Sequence, residues 1–307
     1  MNLIFMGTPE FAVPALDALC GAGHRVTAVF TQPDKPKGRK LKLTPPPVKE
    51  RAMELSIPVY QPQTLKNPSV AEMIIGEKAD CIVVAAYGKL IPPAILTAAK
   101  YGCVNIHSSL LPKYRGAAPI NWAVINGEEE TGVSTMLLNE GLDTGDILLS
   151  AKTLIDKNET AGELHDRLAQ MGAQLILATL DGLENNTITP IKQDDSLSCY
   201  APMLDKSVGI IDWNDPAKSI HDKVRGLQPW PVATAYLGGE RIRIHKTFVC
   251  DGAGKPGEVI SVNPFTVACG SGAIIIEELQ ADGGKRMKSS DYFRGHPVET
   301  GIVFDNI

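Results

Sequence analysis

An uninterrupted apolar run, Leu3-Ile4-Phe5-Met6, stands near the start of the chain. A strand apolar on both faces needs cover on both, which is the setting of a central parallel strand. Gly7-Thr8-Pro9 turns the chain next. Thr8 suits an N-cap and Pro9 a first helical position, so a helix is predicted to start there. Phe11, Val13, Leu16 and Leu19 supply its apolar face, Gly21-Ala22-Gly23 ends it, and Val26 to Phe30 follows as a second strand. A β-α-β opening of this kind predicts a Rossmann-like, doubly wound, mostly parallel sheet. Cys81 to Ala86 reads as another central strand, and it ends in Tyr87-Gly88-Lys89. That loop falls at the carboxyl edge of the sheet, where open α/β folds bind ligands.

The same opening does not fit a dinucleotide site. Only Gly7 directly follows the first strand, Gly21 and Gly23 come after the helix, and the second strand ends in Phe30-Thr31-Gln32 without an acid. A chain of 307 residues with 44% hydrophobic and 21% charged residues is ordinary for a globular protein of one large or two smaller domains. Its net charge of -5 excludes a general nucleic-acid binder and leaves only local basic patches for such contacts. The six cysteines form no CxxC pair, which argues against a zinc site and a disulfide framework and predicts a reducing, cytoplasmic setting. No run of 18 apolar residues predicts a membrane span, and the first residues are too few for a secretion signal.

The run Gly102-Cys103-Val104 leads into Asn105-Ile106-His107-Ser108-Ser109-Leu110-Leu111-Pro112, a strand end opening into a loop. With period two, Asn105 and His107 share a face. An amide and an imidazole projecting together are suitable donors to a developing oxyanion. They also suit a turn asparagine and an ordinary core histidine, and these eight residues alone do not separate the two. Further on, Asn139-Glu140-Gly141-Leu142-Asp143-Thr144-Gly145-Asp146 is a turn by composition, flanked by predicted strands over 131–138 and 147–150. Its acids do not have the spacing of a calcium loop.

Residues 33–49 reverse the sign of the chain locally: Lys35, Lys37, Arg39, Lys40, Lys42 and Lys49 stand against the single acid Asp34. Such a segment is either a solvated surface loop or an arm that meets phosphates. Glu159 to Leu183 is the longest helical pattern, with Thr160 a candidate cap and Leu164, Leu168, Met171, Leu175 and Leu180 on its apolar face. It is expected to end a first domain over residues 1–183. Residues 184–206, poor in large apolar side chains, read as a linker. From 207 to 307, a short helix and then five short runs, most of them separated by glycine-containing turns, predict a small OB-like β-barrel.

Taken together, Asn105-x-His107 with Ser109-Leu110-Leu111-Pro112, then Gly132-Val133-Ser134-Thr135, then Gly141-Leu142-Asp143-Thr144-Gly145-Asp146 resembles the formyltransferase family that uses 10-formyltetrahydrofolate. Phe5-x-Gly7-Thr8-Pro9-x-Phe11, the basic segment, Ile211-Asp212-Trp213 and Pro229-Trp230-Pro231 extend the resemblance over nearly the whole chain. Over that length the chain is similar to members that formylate the α-amino group of methionine carried by initiator tRNA. The nearest alternative is a formyltransferase acting on an amino sugar nucleotide, whose relatives lack a segment like 33–49. One departure is Ser108, where glycine or alanine is expected.

The resemblance implies roles. Asn105 and His107 would hold the oxyanion, and Asp143 would take the amine's proton and orient the histidine. Ser108, Ser109, Leu110 and Leu111, with Tyr87, Gly88 and Leu142, would line the folate pocket. Lys35, Lys37, Arg39, Lys40 and Lys42 would reach the acceptor end of the methionyl initiator tRNA, with Arg39 as the key arginine. The implied enzyme is a cytoplasmic monomer needing folate as formyl donor and no metal.

Overall fold

The computed structural model describes residues 1–38 and 41–305. Strand β1 (Asn2–Gly7) is followed by a 3₁₀ turn (Glu10–Ala12), helix α1 (Val13–Gly21) and strand β2 (Arg25–Phe30), which pairs with β1 in parallel. The expected N-cap is not used. Ala12 stands at the N-cap of α1, and the Thr8 hydroxyl instead donates to the Tyr87 carbonyl at 3.0 Å. The hydroxyl therefore ties the turn after the first strand to the loop after the central one.

The basic segment folds into a hairpin that its composition did not announce. Strands β3 (Lys35–Lys37) and β4 (Lys42–Thr44) pair antiparallel, Lys35 opposite Thr44 and Pro36 opposite Leu43. At its base Asp34 accepts from Lys49 Nζ at 2.8 Å and from Gln61 Nε2 at 2.7 Å. These bonds, that from Gln61 first, hold the Asp34 carboxyl below its usual range. Lys49 thus anchors the arm, whereas Lys35 and Lys42 are exposed.

Helix α2 (Pro47–Glu54), strand β5 (Val59–Tyr60), helix α3 (Pro68–Gly76), strand β6 (Cys81–Ala85), helix α4 (Pro93–Leu96) and strand β7 (Cys103–His107) complete the parallel part. A two-residue strand β8 (Arg115–Gly116) and helix α5 (Pro119–Ile125) precede the long strands β9 (Glu130–Leu137) and β10 (Ile147–Leu154). The seven-stranded sheet runs β10-β9-β7-β6-β1-β2-β5. Its pairs β5–β2, β2–β1, β1–β6 and β6–β7 are parallel, and β9 joins β7 antiparallel. Leu3, Ile4, Phe5, Met6, Ile82 and Val83 are fully buried, as expected for runs apolar on both faces. Burying each side chain of this size is worth roughly 1.5–3 kcal/mol.

Helix α6 (Ala161–Glu184) starts with the expected cap. Thr160 Oγ1 accepts from the Glu163 N–H at 3.2 Å, and a Glu163 carboxylate oxygen accepts from the Thr160 N–H at 2.8 Å, a reciprocal capping box. Leu168, Ile176 and Leu180 are buried, while Met171 and Leu175 lie half-buried at the edge of the apolar face. Gly172 faces strand β7: a Cβ built there would sit 2.8 Å from Ile106 Cγ2, so the absence of a side chain lets the helix lie close to the sheet.

The chain divides into two compact units. The first holds Met1–Gly116, Thr131–Thr153 and His165–Tyr200, and the second holds Ala117–Glu130, Leu154–Leu164 and the chain from Ala201 onward. A short strand β11 (Tyr200–Ala201) spans the boundary in the chain, and within the second unit helix α7 (Ala217–Gly226) leads to strands β12 (Ala233–Leu237), β13 (Glu240–Cys250), β14 (Val259–Val262), β15 (Phe265–Ala268), β16 (Ala273–Ala281) and β17 (Met287–Lys288), then helix α8 (Ser289–Gly295). They form an antiparallel sheet in the order β12-β13-β16-β15-β14, with β17 against β16. Trp213, Ile220, Leu227, Ile244, Ile274 and Phe304 belong to its core.

Candidate active site

The site begins at the end of β7. Asn105 stands opposite Met136 and His107 opposite Ser134 of β9, while Ala85 at the end of β6 stands opposite Ile106. Ile106 packs toward Gly172 of α6, and by alternation Asn105 and His107 project to the other face of the strand. They are 8% and 6% exposed. Among the described residues nothing hydrogen-bonds the Asn105 carboxamide, so an almost buried amide keeps its donors unengaged.

The histidine is oriented by a group that carries no sequence signal. His107 Nε2 lies 2.9 Å from the Tyr114 carbonyl oxygen, so Nε2 bears the hydrogen and donates it there. Nδ1 is left to face the site. Asp143 Oδ2 lies 3.8 Å from it, a charge contact rather than a hydrogen bond. Asp143 is therefore near the imidazole without a hydrogen bond to it, and the ring's hydrogen-bond partner is the Tyr114 carbonyl. The carboxylate itself accepts from the Gly116 N–H at 2.9 Å.

Asp143 sits in a tightly tied loop between β9 and β10. The Leu137 N–H donates to the Asp146 carbonyl at 2.9 Å, closing the loop at its base. Asn139 Oδ1 accepts from the Gly141 N–H at 3.0 Å and from the Thr144 hydroxyl at 2.9 Å. Asp143 has φ of 51°, in the left-handed region that residues with a Cβ seldom occupy. Gly145 passes against the strand so closely that a Cβ would lie 1.7 Å from the Leu137 carbonyl oxygen. A further tie comes from the stretch expected to be a linker: Gln193, 7% exposed, donates to the carbonyls of Asp143 and Gly145.

The segment after His107 is held in place by one hydroxyl. Ser134 Oγ donates to the Ser109 carbonyl at 2.8 Å and accepts from the Leu111 N–H at 3.2 Å. Ser109 Oγ in turn donates to the Lys113 carbonyl at 2.6 Å. Ser108 has no left-handed φ and is half-buried, so a side chain at this position costs the backbone nothing. Leu110 is half-buried, Leu111 is buried and Leu142 is 48% exposed. The Ala86-Tyr87-Gly88 loop leaves the strand next to β7, with φ of 46° at Ala86 and 79° at Gly88. The Tyr87 ring does not face this loop's surface. It is buried in the core with Ile4, Met6, Phe30 and Ile82, and burial pushes its hydroxyl up to about 12. Its carbonyl is taken by Thr8 Oγ1 and Gln32 Nε2, both at 3.0 Å.

Of the basic residues, Lys35 and Lys42 are exposed on the β3–β4 hairpin, and the backbone of Lys37 lies opposite Lys42. Arg39 and Lys40 lie outside the described residues. Leu41 and Leu43 are exposed at 72% and 61%. Among the described residues no three His, Cys, Asp or Glu side chains gather as a metal-binding set.

Residues 1–180 match the family described as formyl transferase, and residues 203–297 match the formyl transferase C-terminal domain. The chain belongs to the formyl transferase family. Among its relatives, a methionyl-tRNA formyltransferase of Trichlorobacter lovleyi is 52% identical over 98% of this chain and 96% of its own length. One of Lachnospira eligens is 48% identical over 99% of both. The solved structures similar to this formyl transferase are more distant. An N-formyltransferase from Helicobacter canadensis, in complex with folinic acid and dTDP-3-aminofucose, superposes with a TM-score of 0.69 at 20% identity over 93% of this chain and 99% of its own. HypX from Aquifex aeolicus in complex with tetrahydrofolic acid gives 0.65 at 16% identity over 100% of this chain and 51% of its own. At such identities the likeness speaks for the fold.

Proposed function

We propose that this formyl transferase moves the formyl group of 10-formyltetrahydrofolate to the α-amino group of methionyl initiator tRNA. The match along nearly the whole chain to relatives named methionyl-tRNA formyltransferase carries the choice of acceptor. The folate supplies a formyl carbon bonded to a nitrogen that departs. Asn105 donates from its unengaged carboxamide to the oxygen of that carbon as charge develops. His107, with its Nε2 hydrogen engaged by Tyr114, presents Nδ1, which on protonation is the second donor. Asp143 accepts the proton that the amine loses as the new C–N bond forms, directly or through a water. The proton is returned to the departing nitrogen, which leaves the enzyme unchanged. Ser108 to Leu111, Gly88 and Leu142 line the folate slot, and Tyr87 contributes backbone only.

Lys35, Lys37, Arg39, Lys40 and Lys42 are the contacts for the tRNA acceptor end, Lys35 and Lys42 offered from the β3–β4 hairpin. Arg39→Ala is expected to raise the apparent KM for charged initiator tRNA roughly tenfold and to reduce the salt slope of tRNA binding by about 1, while folate affinity is unchanged. Titrations of both substrates at several salt concentrations check this, and a change confined to the folate constant would overturn the assignment of the arm. We read the enzyme as a cytoplasmic monomer. All six cysteines are free thiols, in keeping with a reducing compartment.

The acceptor is tested by offering labelled formyl folate with charged initiator tRNA, charged elongator tRNA and an amino sugar nucleotide in parallel. Label on initiator tRNA alone is expected. Label on the sugar nucleotide instead would move the enzyme to the other branch of the family.

A further inference from the structure

Four hydrogen bonds converge on the carboxamide of Gln193. Its Nε2 donates both hydrogens, to the Asp143 carbonyl at 2.8 Å and to the Gly145 carbonyl at 2.7 Å. Its Oε1 accepts from Arg115 Nε at 3.0 Å and Nη2 at 2.8 Å. A carboxamide has two donors and room for two incoming hydrogens, so the group is saturated, and only this orientation of the amide satisfies all four partners. The Arg115 guanidinium extends the line to Asp195 Oδ1 at 2.8 Å. Both Gln193 and the Arg115 side chain are nearly buried, at 7% and 11% exposure.

The consequence concerns Asp143. Strand β8 is two residues long, and both grip the same aspartate. Gly116 donates its N–H to the carboxylate at 2.9 Å, and Arg115 holds the backbone carbonyl through Gln193. One nitrogen bound to the carbonyls of Asp143 and Gly145 fixes the turn between them, including the left-handed backbone of Asp143. That turn decides where the carboxylate stands relative to His107 Nδ1. We propose that Gln193 is a positioning residue for the transfer reaction, acting with Arg115 to hold Asp143 in its working place. The proposal rests on the role of Asp143 given above. Gln193 touches neither His107 nor Asn105 through any of its four bonds, so its contribution passes through the Asp143 loop.

The test is a double-mutant cycle on the full chain. Gln193→Met keeps the volume and removes both donors. Gln193→Glu keeps an acceptor for Arg115 and sets an oxygen against two carbonyls. Each is expected to lower kcat about 10- to 100-fold at a temperature well below melting, with both KM values within about threefold of the parent, on the scale of a misplaced catalytic group. Each is also expected to shift the limb of the kcat–pH profile that reports the His107–Asp143 pair. In an Asp143→Asn background, Gln193→Met is expected to have no further effect on kcat, because the residue acts through the group already removed. A full additional loss in that background would overturn the proposal, as would a kcat within twofold of the parent or an effect confined to KM. The single variants Asp143→Asn and His107→Ala, assayed alongside, separate the two possible failures. If they retain parental turnover, the catalytic reading itself falls. If they lose it while Gln193→Met does not, only the positioning role falls.

Discussion

His107→Ala is expected to lower turnover by roughly 10²-fold or more, the scale of losing one oxyanion donor. The side chain is 6% exposed, and its two ring nitrogens are committed differently: Nε2 to the Tyr114 carbonyl, Nδ1 to the space before Asp143. Truncation therefore removes the Nδ1 donor and also the hydrogen bond to the Tyr114 carbonyl, which costs about 0.5–1.5 kcal/mol of stability. The two effects separate by measurement. A thermal melt reads the second, and single-turnover formylation at a temperature where the variant is folded reads the first. Folate affinity, measured by direct titration, is expected to change little, because the segment 108–111 is held by Ser134 and not by the imidazole. A variant that turns over at near-parental rate would remove His107 from the mechanism. His107→Gln extends the test. It restores a neutral donor but cannot become a cation, so a rate between parent and alanine variant is expected.

What could be read from the chain alone follows a physical division. Leu3 to Met6 and Cys81 to Ala86 were legible as central strands, the second ending at Ala85 in the structure, because runs of that kind call for burial on both faces. Asn105 and His107 were legible as a pair because strand geometry alternates faces whatever the surroundings. The β3–β4 hairpin was not legible: its prolines and lysines show no period, and its pairing is fixed by the anchor of Asp34 on Lys49 and Gln61, residues distant in the chain. Thr8 has the chemistry of a cap, but a hydroxyl bonds whichever group tertiary packing brings nearest, here the Tyr87 carbonyl. At the site, the groups that orient His107 and Asp143 directly are the backbone carbonyl of Tyr114 and the backbone N–H of Gly116. Every residue has such groups, so no residue type marks them. Gln193 was hidden for a related reason. It lies in a stretch poor in large apolar residues, and a buried amide leaves no hydrophobic periodicity behind it.

Gly145→Ala is expected to reduce turnover by about 10²-fold, because a shift of about 1 Å in a catalytic group can cost that much. The added Cβ would lie 1.7 Å from the Leu137 carbonyl oxygen and 2.9 Å from its carbon, both backbone atoms of strand β9. The strand is paired to β7 on its other side and cannot retreat without disturbing Asn105 and His107, so the loop must give way. Its displacement strains the bond from Gln193 to the Gly145 carbonyl and with it the turn that sets Asp143. The Asp143 carboxylate then leaves the Gly116 N–H, and the proposed proton acceptor is displaced without any change in Asn105, His107 or Asp143 themselves. The contrasting substitution is Gly76→Ala at the end of α3, where a Cβ meets nothing within 4 Å and turnover is expected to stay at the parental value. Comparing the two at saturating folate and tRNA, with melting curves for both, isolates the geometric requirement. Parental turnover in Gly145→Ala would mean that the Asp143 loop tolerates displacement, and the mechanism would then need a proton acceptor other than Asp143.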